Sequence, residues 1–482
     1  MTRRRNKPAA RLVRSGGTPL SRQLYERFRS AIATGQLRPG DRLPSIRGLA
    51  EELAMARGTV DAAYGMLAGE GYVVTRGQAG TIVSPELRNA EALEDVATLR
   101  ARSTGRPSGR AEPLLLQMGL PAVDLFPRKL WSHLIAREAR RSPASDMMYP
   151  DPAGFGPLRQ AIAAYLASSR GIACDWRQVL VTNGFQGGLD LSLRILLRRG
   201  DRAWIEDPCF PPVRAALELA RAELVAVPID SEGMRVGEGI RQARRARLAV
   251  VTPSHQSPLG VSLSLPRRME LLRWANLANA YVIEDDYDSE FRFVGRPLPA
   301  LKSLDRGQRV IYSGTFSKTL FPGLRLGYLV LPDRLLDTFT EVTAGHSSGL
   351  NPFAQRVVAG FMAEGHFARH LKRMRKLYAA RRAALAGALK TEFGERVRIE
   401  LQPGGMHLLL RCAGRTQDAR LAQLARADGF GAEPLSNRSV QHDCGQGLLV
   451  GFTNVAEADA PAIAKRLRRA IEPVTERRAR TD

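Results

Sequence analysis

A lysine in the segment SGTFSKTLFPGLRLGY has the surroundings that an amine needs to react with a carbonyl group. Lys318 follows two hydroxyl residues, Thr315 and Ser317, and Arg325 lies seven positions further on. A lysine that forms an imine must be deprotonated, which burial and neighbouring positive charge promote. Hydroxyl groups and an arginine fork beside it can anchor a phosphate. A single lysine is more often a solvated amine, but this string predicts a reactive lysine next to a phosphate site.

Three consecutive acidic residues stand in the segment VIEDDYDSEF, at the end of an apolar run and just before Tyr287. Glu284, Asp285 and Asp286 would repel one another unless a cation or a protonated group lies among them. A metal ion is one candidate, although few further ligands are nearby. A protonated pyridine nitrogen is the other candidate.

The segment VTNGFQGGLD predicts a second phosphate contact. Gly184, Phe185 and Gln186 lie between a predicted strand and a predicted helix. Backbone N–H groups at the N-terminus of a helix form a natural phosphate cradle. Many strand–helix turns contain glycine, so this signal is weak by itself.

These polar segments end apolar runs in an alternating series of predicted strands and helices. From about Leu180 onward the predicted strands are VLVTNG, RAWIED, LAVVTPS, AYVIEDDY and RVIYSGTFSK. That alternation predicts an α/β domain with a mostly parallel sheet. Ligands of such open sheets bind at the carboxyl ends of the strands, where these polar segments are expected to meet.

Taken together, these segments resemble the type I pyridoxal-5′-phosphate (PLP) aminotransferase fold over about residues 115–482. The resemblance implies that Lys318 is the Schiff-base lysine, that Asp285 keeps the pyridine nitrogen protonated, and that Tyr287 contacts the ring hydroxyl. It further implies a phosphate cup and two aromatic contacts: Arg325, Thr315, Ser317, the turn Gly184, Phe185 and Gln186, then Phe210 stacked on the ring and Tyr149 reaching the neighbouring subunit's phosphate. The last contact implies a dimer with shared sites.

The chain departs from the aminotransferase pattern at three places. Ser257 stands where aminotransferases commonly have asparagine before Pro-x-Gly, and Phe185 stands where a hydroxyl residue is usual. The last strand, GLLVGFTNV, lacks the arginine that often clamps a substrate carboxylate. Arg438, in PLSNRSV, lies in the right region to bind the anionic group of an effector.

Charge points to an anionic partner. The 72 basic and 48 acidic residues of the 482 give a net charge of +24, which favours nucleic acid, a membrane surface or phosphorylated ligands. No run approaches the roughly 18 apolar residues of a membrane span, so no membrane partner is expected. The four cysteines form neither a C-x-x-C pair nor a ligand cluster, which argues against a zinc site or a disulfide framework and suits a reducing cytosol.

The first 84 residues predict a winged helix-turn-helix. Apolar residues recur every four positions between Pro19 and Thr34, Ser45 can cap a second helix, and RGTVDAAYGMLAGEG reads as a third. The stretch YVVTRGQAGTIV then reads as two short strands around a glycine-rich tip. The alternative, a small helical domain with a solvated basic face, stays open on helix spacing alone.

In a winged helix-turn-helix, the N-terminal residues of the third helix face base edges in the major groove. Arg57 and Thr59 take that place, able to reach a base or a phosphate. Arg47, at the start of the second helix, is placed to contact a backbone phosphate. Arg76 and Gly77 would lie at the tip of the wing. These five residues are the predicted DNA contacts.

The ordered string P-L-x-x-Q-L, G-x-L-x-P-G-x-x-L-P-S-x-R-x-L-A, R-x-T-V-x-x-A-Y-x-x-L-x-x-E-G-Y and the wing resembles the GntR family of winged-helix repressors over residues 18–84. The third helix departs from the family because it opens with Ala56-Arg57-Gly58 where Ser-Arg-Asn is usual. Alanine offers no side-chain cap, which costs a helix about 0.5–2 kcal/mol.

The whole chain is predicted to consist of a basic arm (1–17), a winged helix-turn-helix (18–84), a linker (85–112) with a short helix around Glu91–Arg102, and an aminotransferase-like domain (113–482). This order resembles the MocR/GabR family of bacterial transcription regulators. The resemblance implies a PLP-dependent regulator of double-stranded DNA that senses the vitamer or an amino compound, usually without turnover. It also implies a head-to-tail homodimer on the nucleoid, in the cytoplasm.

Two alternatives belong to other functional classes. One is a working aminotransferase that also has a DNA-binding domain, and the missing last-strand arginine counts against it. The other is a DNA-binding dimer whose large domain is a scaffold without cofactor. A scaffold would have no physical need for Lys318, Asp285 and Arg325 together.

Overall fold

The structure, a computed structural model, describes residues 18–75, 80–89, 112–295, 299–347, 349–412 and 417–475. Two compact units divide the chain, Met1–Ala111 and Glu112–Asp482. Several sequence predictions lie outside the described residues: the arm 1–17, the wing-tip residues Arg76 and Gly77, most of the linker, and its helix around Glu91–Arg102.

The N-terminal unit consists of three helices and a two-stranded antiparallel hairpin. The helices are α1 (Leu20–Ala33), α2 (Ile46–Glu52) and α3 (Arg57–Gly69), and the strands are β1 (Val73–Thr75) and β2 (Thr81–Val83). Helix α2 begins where sequence indicated, because the Ser45 side chain accepts a hydrogen bond from the Gly48 backbone N–H.

The core of this unit lies between α1 and α3. The predicted apolar face of α3 is buried in full, and the Tyr64 ring meets Phe28 edge to face at 5.5 Å. Helix α1 differs from expectation, because it is rotated so that Tyr25 and Ala31 are buried while Leu20 and Ile32 are only half-buried. Spacing by four marks one line along a helix, whereas the buried face is wider.

An eight-stranded sheet forms the centre of the large unit. Its strands are β3 (Val179–Thr182), β4 (Arg202–Asp207), β5 (Glu223–Asp230), β6 (Gly233–Met234), β7 (Leu248–Val251), β8 (Tyr281–Asp286), β9 (Val310–Thr315) and β10 (Gly327–Val330). Their order is β3-β10-β9-β8-β7-β4-β5-β6. The neighbours from β9 to β5 pair in parallel, and β10 pairs antiparallel with both β3 and β9. The sheet is therefore mostly parallel.

Eleven α-helices accompany this sheet and the C-terminal part of the described chain. They are α4 (Arg128–Arg141), α5 (Gly156–Arg170), α6 (Gly184–Leu196), α7 (Pro211–Leu219), α8 (Val236–Ala243), α9 (Leu265–Leu277), α10 (Leu336–Ser347), α11 (Pro352–Ala363), α12 (His366–Phe393), α13 (Asp418–Ala427) and α14 (Ala460–Thr475). Apolar side chains of the parallel strands are buried on both faces of the sheet, as layers of helices on both sides require.

A second, antiparallel sheet follows the long helix α12. It contains β11 (Val397–Glu400), β12 (His407–Cys412), β13 (Glu433–Pro434) and β14 (Gly447–Gly451), in the order β11-β12-β14-β13. One hydrophobic core joins α12, this sheet and part of the large sheet. No helix within the described ranges is long and apolar enough to cross a membrane.

Candidate functional site

The predicted lysine is half-buried beyond the carboxyl end of a parallel strand. Lys318 lies three residues beyond the end of β9, and its Nζ donates a hydrogen bond to the Gly119 carbonyl at 2.9 Å. Burial lowers the pKa of the amine below its ordinary value. A Cβ at Gly119 would overlap Lys318 Nζ, so glycine is what admits the amine there. A lowered pKa is the property that a reactive amine at this position requires.

The three consecutive acids at the end of β8 have separate partners. Glu284 accepts hydrogen bonds from the backbone N–H groups of Leu301 and Lys302 at 2.8 and 2.7 Å. Asp286 forms an ion pair with Arg170 at 2.7 Å and accepts a hydrogen bond from the Tyr312 hydroxyl at 2.6 Å. Arg170 is the cation among the acids, and sequence reasoning missed it because it lies on α5, far away in the chain.

Asp285 is the acid that points to a ligand. It is 6% exposed, and no donor within the described part of the chain hydrogen-bonds its carboxylate. Burial, together with Asp286 and Asp288, raises the pKa of Asp285 well above its ordinary value. A buried carboxylate of this kind is stabilised by a group that brings its own proton or positive charge.

Tyr287 is half-buried and has polar partners on its hydroxyl group. His255 Nδ1 lies 2.9 Å from the Tyr287 oxygen. Burial raises the pKa of the Tyr287 phenol, which keeps it protonated. Ser257, the residue that replaces asparagine, acts in the opposite direction and lowers the pKa of Tyr287.

The predicted phosphate cup assembles around the N-terminus of α6. Gly184 begins that helix with φ +69°, and its Cα faces the Arg325 guanidinium, which lies 3.6–3.8 Å from where a Cβ would stand. Phe185 and Gln186 follow in the first turn. Of the other members, Thr315 ends β9 and Ser317 lies in the loop that follows, where the Ser317 backbone N–H donates a hydrogen bond to the Thr315 hydroxyl at 3.1 Å. Arg325 is exposed, so the cup opens outward.

Phe210 and Arg438 lie close to each other. The Arg438 guanidinium stands 5.8 Å from the centre of the Phe210 ring. It is 6% exposed and forms an ion pair with Glu433. Its charge also helps to lower the pKa of Lys318. Arg438 is therefore a buried cation whose charge adds to the effect of burial on the lysine.

Asp207, at the end of β4, positions the segment that contains Arg438, and sequence reasoning missed it. Its carboxylate accepts backbone hydrogen bonds from Val440, Gln441 and His442 at 2.7, 2.8 and 2.7 Å. His442 Nδ1 lies 3.0 Å from the same carboxylate. These residues are more than 230 positions apart in the sequence, so no local signal could join them.

Tyr149 is the predicted residue that stays apart from the others. It is 88% exposed, in a segment where Met147 and Met148 are exposed as well. Among the described residues it makes no hydrogen bond or ring contact with the other predicted site residues. A role at a neighbouring subunit requires a second chain.

The predicted DNA contacts that are described lie in the first turns of α2 and α3. Arg57, exposed, is the first residue of α3, and Thr59 is half-buried two residues later. Arg47 is exposed and pairs with Glu51 at 3.1 Å. Ala56 caps α3 without a side-chain hydrogen bond, as the sequence predicted. Arg42 packs against the wing at Gly80 and adds a basic residue there.

The polar groups described above fit the parts of PLP. The Lys318 amine, with its lowered pKa, suits the aldehyde of PLP, and the Asp285 carboxylate suits a protonated ring nitrogen. Arg325 and the N-terminus of α6 suit the phosphate. Within the described ranges no group of three or more His, Cys, Asp or Glu side chains is arranged to hold a metal ion.

Two family descriptions match the chain. Residues 20–83 match the gntR family of bacterial regulatory proteins, and residues 127–435 match aminotransferase class I and II. Among solved structures, a kynurenine aminotransferase from Pyrococcus horikoshii is similar, with a TM-score of 0.69 at 27% identity, covering 80% of this chain and 95% of the other. The predicted fold classes of both domains are thereby confirmed.

Three relatives match over nearly the whole chain. A probable rhizopine catabolism regulatory protein MocR from Rhizobium meliloti is 37% identical over 92% of both chains. The pyridoxine biosynthesis regulator PdxR from Corynebacterium glutamicum is 34% identical over 90% of this chain and 92% of its own. The regulator TauR from Rhodobacter capsulatus is 34% identical over 88% and 90%.

The lysine site and the winged helix therefore occur in one chain in the same order as in these regulators. Both the PLP cofactor and the DNA-binding function expected from sequence are confirmed by this relationship. The chain belongs to the MocR-type transcriptional regulators, which join a GntR-type DNA-binding domain to a PLP-dependent aminotransferase-like domain.

Proposed function

We propose that the large domain senses an amino compound with an anionic group, and that this binding event controls operator binding. The observation that supports the proposal is the position of Arg438. Its buried guanidinium stands 5.8 Å from the centre of the Phe210 ring, and its charge contributes to the lowered pKa of Lys318.

When bound, PLP supplies an aldehyde that amines can exchange on and a ring that withdraws electrons. Lys318 would hold the aldehyde end, because its lowered pKa leaves the amine free of its proton more often than in water. Asp285 would hold the proton on the ring nitrogen. Arg325, Thr315, Ser317 and the turn Gly184, Phe185 and Gln186 would hold the phosphate. Phe210 would cover the ring face.

An amino effector would compete with the Lys318 amine while its anionic group pairs with Arg438. Glu433 now balances the charge of Arg438, so an effector anion must displace or share this partner. A ligand shifts a conformational equilibrium only by its difference in affinity for the two states. We infer that the contact with Arg438 supplies that difference.

The dimer that we propose is head to tail, with Tyr149 of each subunit reaching the partner's cofactor phosphate. The exposure of Tyr149, Met147 and Met148, and of Arg325 at the open cup, supports a covering subunit. Two winged helices would then present Arg57, Thr59 and Arg47 to an operator on the bacterial nucleoid. Effector binding would change their spacing.

The experiment starts with a visible absorption spectrum of the purified protein, followed by borohydride reduction and peptide mapping. We expect a coloured protein with the cofactor fixed on Lys318, and a Lys318→Ala variant that keeps operator affinity but loses the effector response. Lys372→Ala, at an exposed lysine on α12, is the control. A protein that stays colourless with added PLP would favour the scaffold alternative, and sustained turnover of an amino donor with a keto acid would favour the aminotransferase.

A further inference from the structure

His255 occupies a position between two acidic groups next to the lysine site. Its Nδ1 lies 2.9 Å from the Tyr287 hydroxyl oxygen. The same nitrogen lies 3.1 Å from both carboxylate oxygens of Asp288. His255 is 7% exposed and Asp288 is 1% exposed. One nitrogen thus faces three oxygen atoms in a place that water scarcely reaches.

Two glycines shape the space around the imidazole. Gly260 and Gly405 have φ of +73° and +94°, and a Cβ on Gly405 would overlap the His255 ring. A Cβ on Gly260 would lie 2.9 Å from His255 Nε2. At both positions glycine permits the positive φ and leaves room for the imidazole. The surrounding backbone therefore holds the His255 side chain in one place.

The three oxygens decide which groups donate. A carboxylate is only an acceptor, so an Nδ1 without a proton would face Asp288 lone pair to lone pair. Nδ1 must therefore carry a proton, and a protonated Nδ1 cannot accept from Tyr287. The tyrosine oxygen then accepts from His255, and its own proton is left for another acceptor.

We propose that the Asp288–His255 pair directs the hydroxyl proton of Tyr287 toward the ring oxygen of the cofactor. Asp288 fixes the tautomer of His255, and His255 fixes the direction of Tyr287, so both are positioning residues. This inference rests on the proposed function only in the last step, where Tyr287 meets the cofactor.

Other charged and titratable groups around the imidazole leave this arrangement in place. His407 lies 5.7 Å away between ring centres, and burial lowers its pKa to about 4, so it is neutral near pH 7. Neutral His407 donates from Nε2 to the Pro258 carbonyl at 2.9 Å. Arg170 and Arg292 line the cavity beside His255, together with Asp288. Asp288 is the carboxylate that contacts the imidazole directly.

The first test needs no cofactor. Long-range ¹H–¹⁵N spectra of the cofactor-free protein, labelled on histidine nitrogens, report which ring nitrogen of His255 bears a proton, with His255→Asn identifying the signals. We expect a protonated Nδ1 at neutral pH. A tautomer protonated only on Nε2 would overturn the proposal, and this reading stands even if the protein never binds PLP.

The second test compares two amides at position 255. Asparagine places its NH₂ near the Nδ1 position, whereas glutamine places it near Nε2. We expect His255→Asn to keep PLP affinity within about threefold of wild type, and His255→Gln to weaken it about 3- to 10-fold, as one lost hydrogen bond implies. The pH at which the visible absorption band of the PLP-bound protein changes should shift in His255→Gln and stay at the wild-type value in His255→Asn.

Tyr287→Phe completes a double-mutant cycle that separates direction from packing. Without the phenol oxygen, Asn and Gln at position 255 should give equal PLP affinities and equal spectra. A difference that persists in the Tyr287→Phe background would refute the pathway through Tyr287. Absence of PLP binding by the wild type would instead refute the proposed function, while the nitrogen spectra still decide the tautomer.

Discussion

Removal of the Asp207 carboxylate should loosen the segment that contains Arg438. Three backbone N–H groups and one imidazole nitrogen lie within 3.0 Å of this side chain. A buried donor left without its acceptor costs about 1–3 kcal/mol. Val440 and His442 are half-buried and Gln441 is exposed, so water can replace part of the loss. We therefore expect Asp207→Ala to lower the free energy of unfolding by about 3 kcal/mol, the low end of three such losses.

Asp207→Asn should lower the free energy of unfolding by less than Asp207→Ala does, and it tests which oxygen accepts which hydrogen bond. One amide oxygen can still accept from Gln441 and His442 N–H, but the NH₂ group then faces the Val440 N–H. A single lost bond and one donor–donor contact predict about 1–2 kcal/mol. Asp443→Ala is the matched control, because this exposed aspartate accepts one hydrogen bond, from Gly445 N–H at 2.8 Å in the same segment. It should cost about 1 kcal/mol or less.

Urea unfolding followed by tryptophan fluorescence measures these differences. All four tryptophans lie in the large unit, so the signal reports that unit alone. Asp207→Ala and Asp207→Asn, but not the control Asp443→Ala, should show a weakened response of operator binding to amino effectors, because the segment that contains Arg438 loses its support. If Asp207→Ala cost no more than Asp443→Ala, the conclusion that the carboxylate anchors this segment would be refuted.

Three further predictions concern both units. Ala56→Ser should add the missing cap of α3 and raise the free energy of unfolding of the N-terminal unit by about 0.5–2 kcal/mol. Circular dichroism of the isolated unit measures this change if the unit folds alone, and limited proteolysis of the full chain measures it otherwise. As the pH falls from 6.5 to 4, the wild type should lose up to about 3 kcal/mol of unfolding free energy relative to His407→Gln. The reason is that His407 takes up a proton near pH 6.5 in the unfolded chain but only near pH 4 in the folded chain. Flat pH profiles for both proteins would contradict this prediction. Arg57→Ala should weaken operator binding by about 1–3 kcal/mol and relax the preference at one base pair. Arg47→Ala should weaken binding to all DNA sequences equally and reduce its salt dependence. Identical selectivity profiles for the wild type and Arg57→Ala would make Arg57 a phosphate contact.

Short, contiguous segments made the lysine site predictable. Lys318, Thr315, Ser317 and Arg325 lie within eleven residues, and Asp285 is two residues from Tyr287. Parallel strands bring such segments to one sheet edge whatever the details of packing. The winged helix was predictable for the same reason, since its caps, turns and apolar spacing are local features.

Contacts between distant parts of the chain could not be predicted in this way. His255 meets Asp288 across 33 positions, and Asp207 meets Gln441 across 234. No periodicity or motif encodes these pairs, because each depends on how two strand ends and a loop pack in three dimensions. The rotation of α1, which buries Tyr25, has the same origin: packing selects a face that spacing only outlines.

The antiparallel strand β10 has a consequence for how the site can change. An antiparallel neighbour needs only a short connection from β9, and residues 316–326 provide it, with the lysine near one end and Arg325 near the other. The span between amine and phosphate site is therefore set by a fixed number of covalent bonds. Arg438, by contrast, belongs to the C-terminal part of the fold. Under the proposed function, cofactor retention and ligand selectivity would therefore depend on separate parts of the chain, and ligand selectivity could diverge between relatives while cofactor retention stays constant.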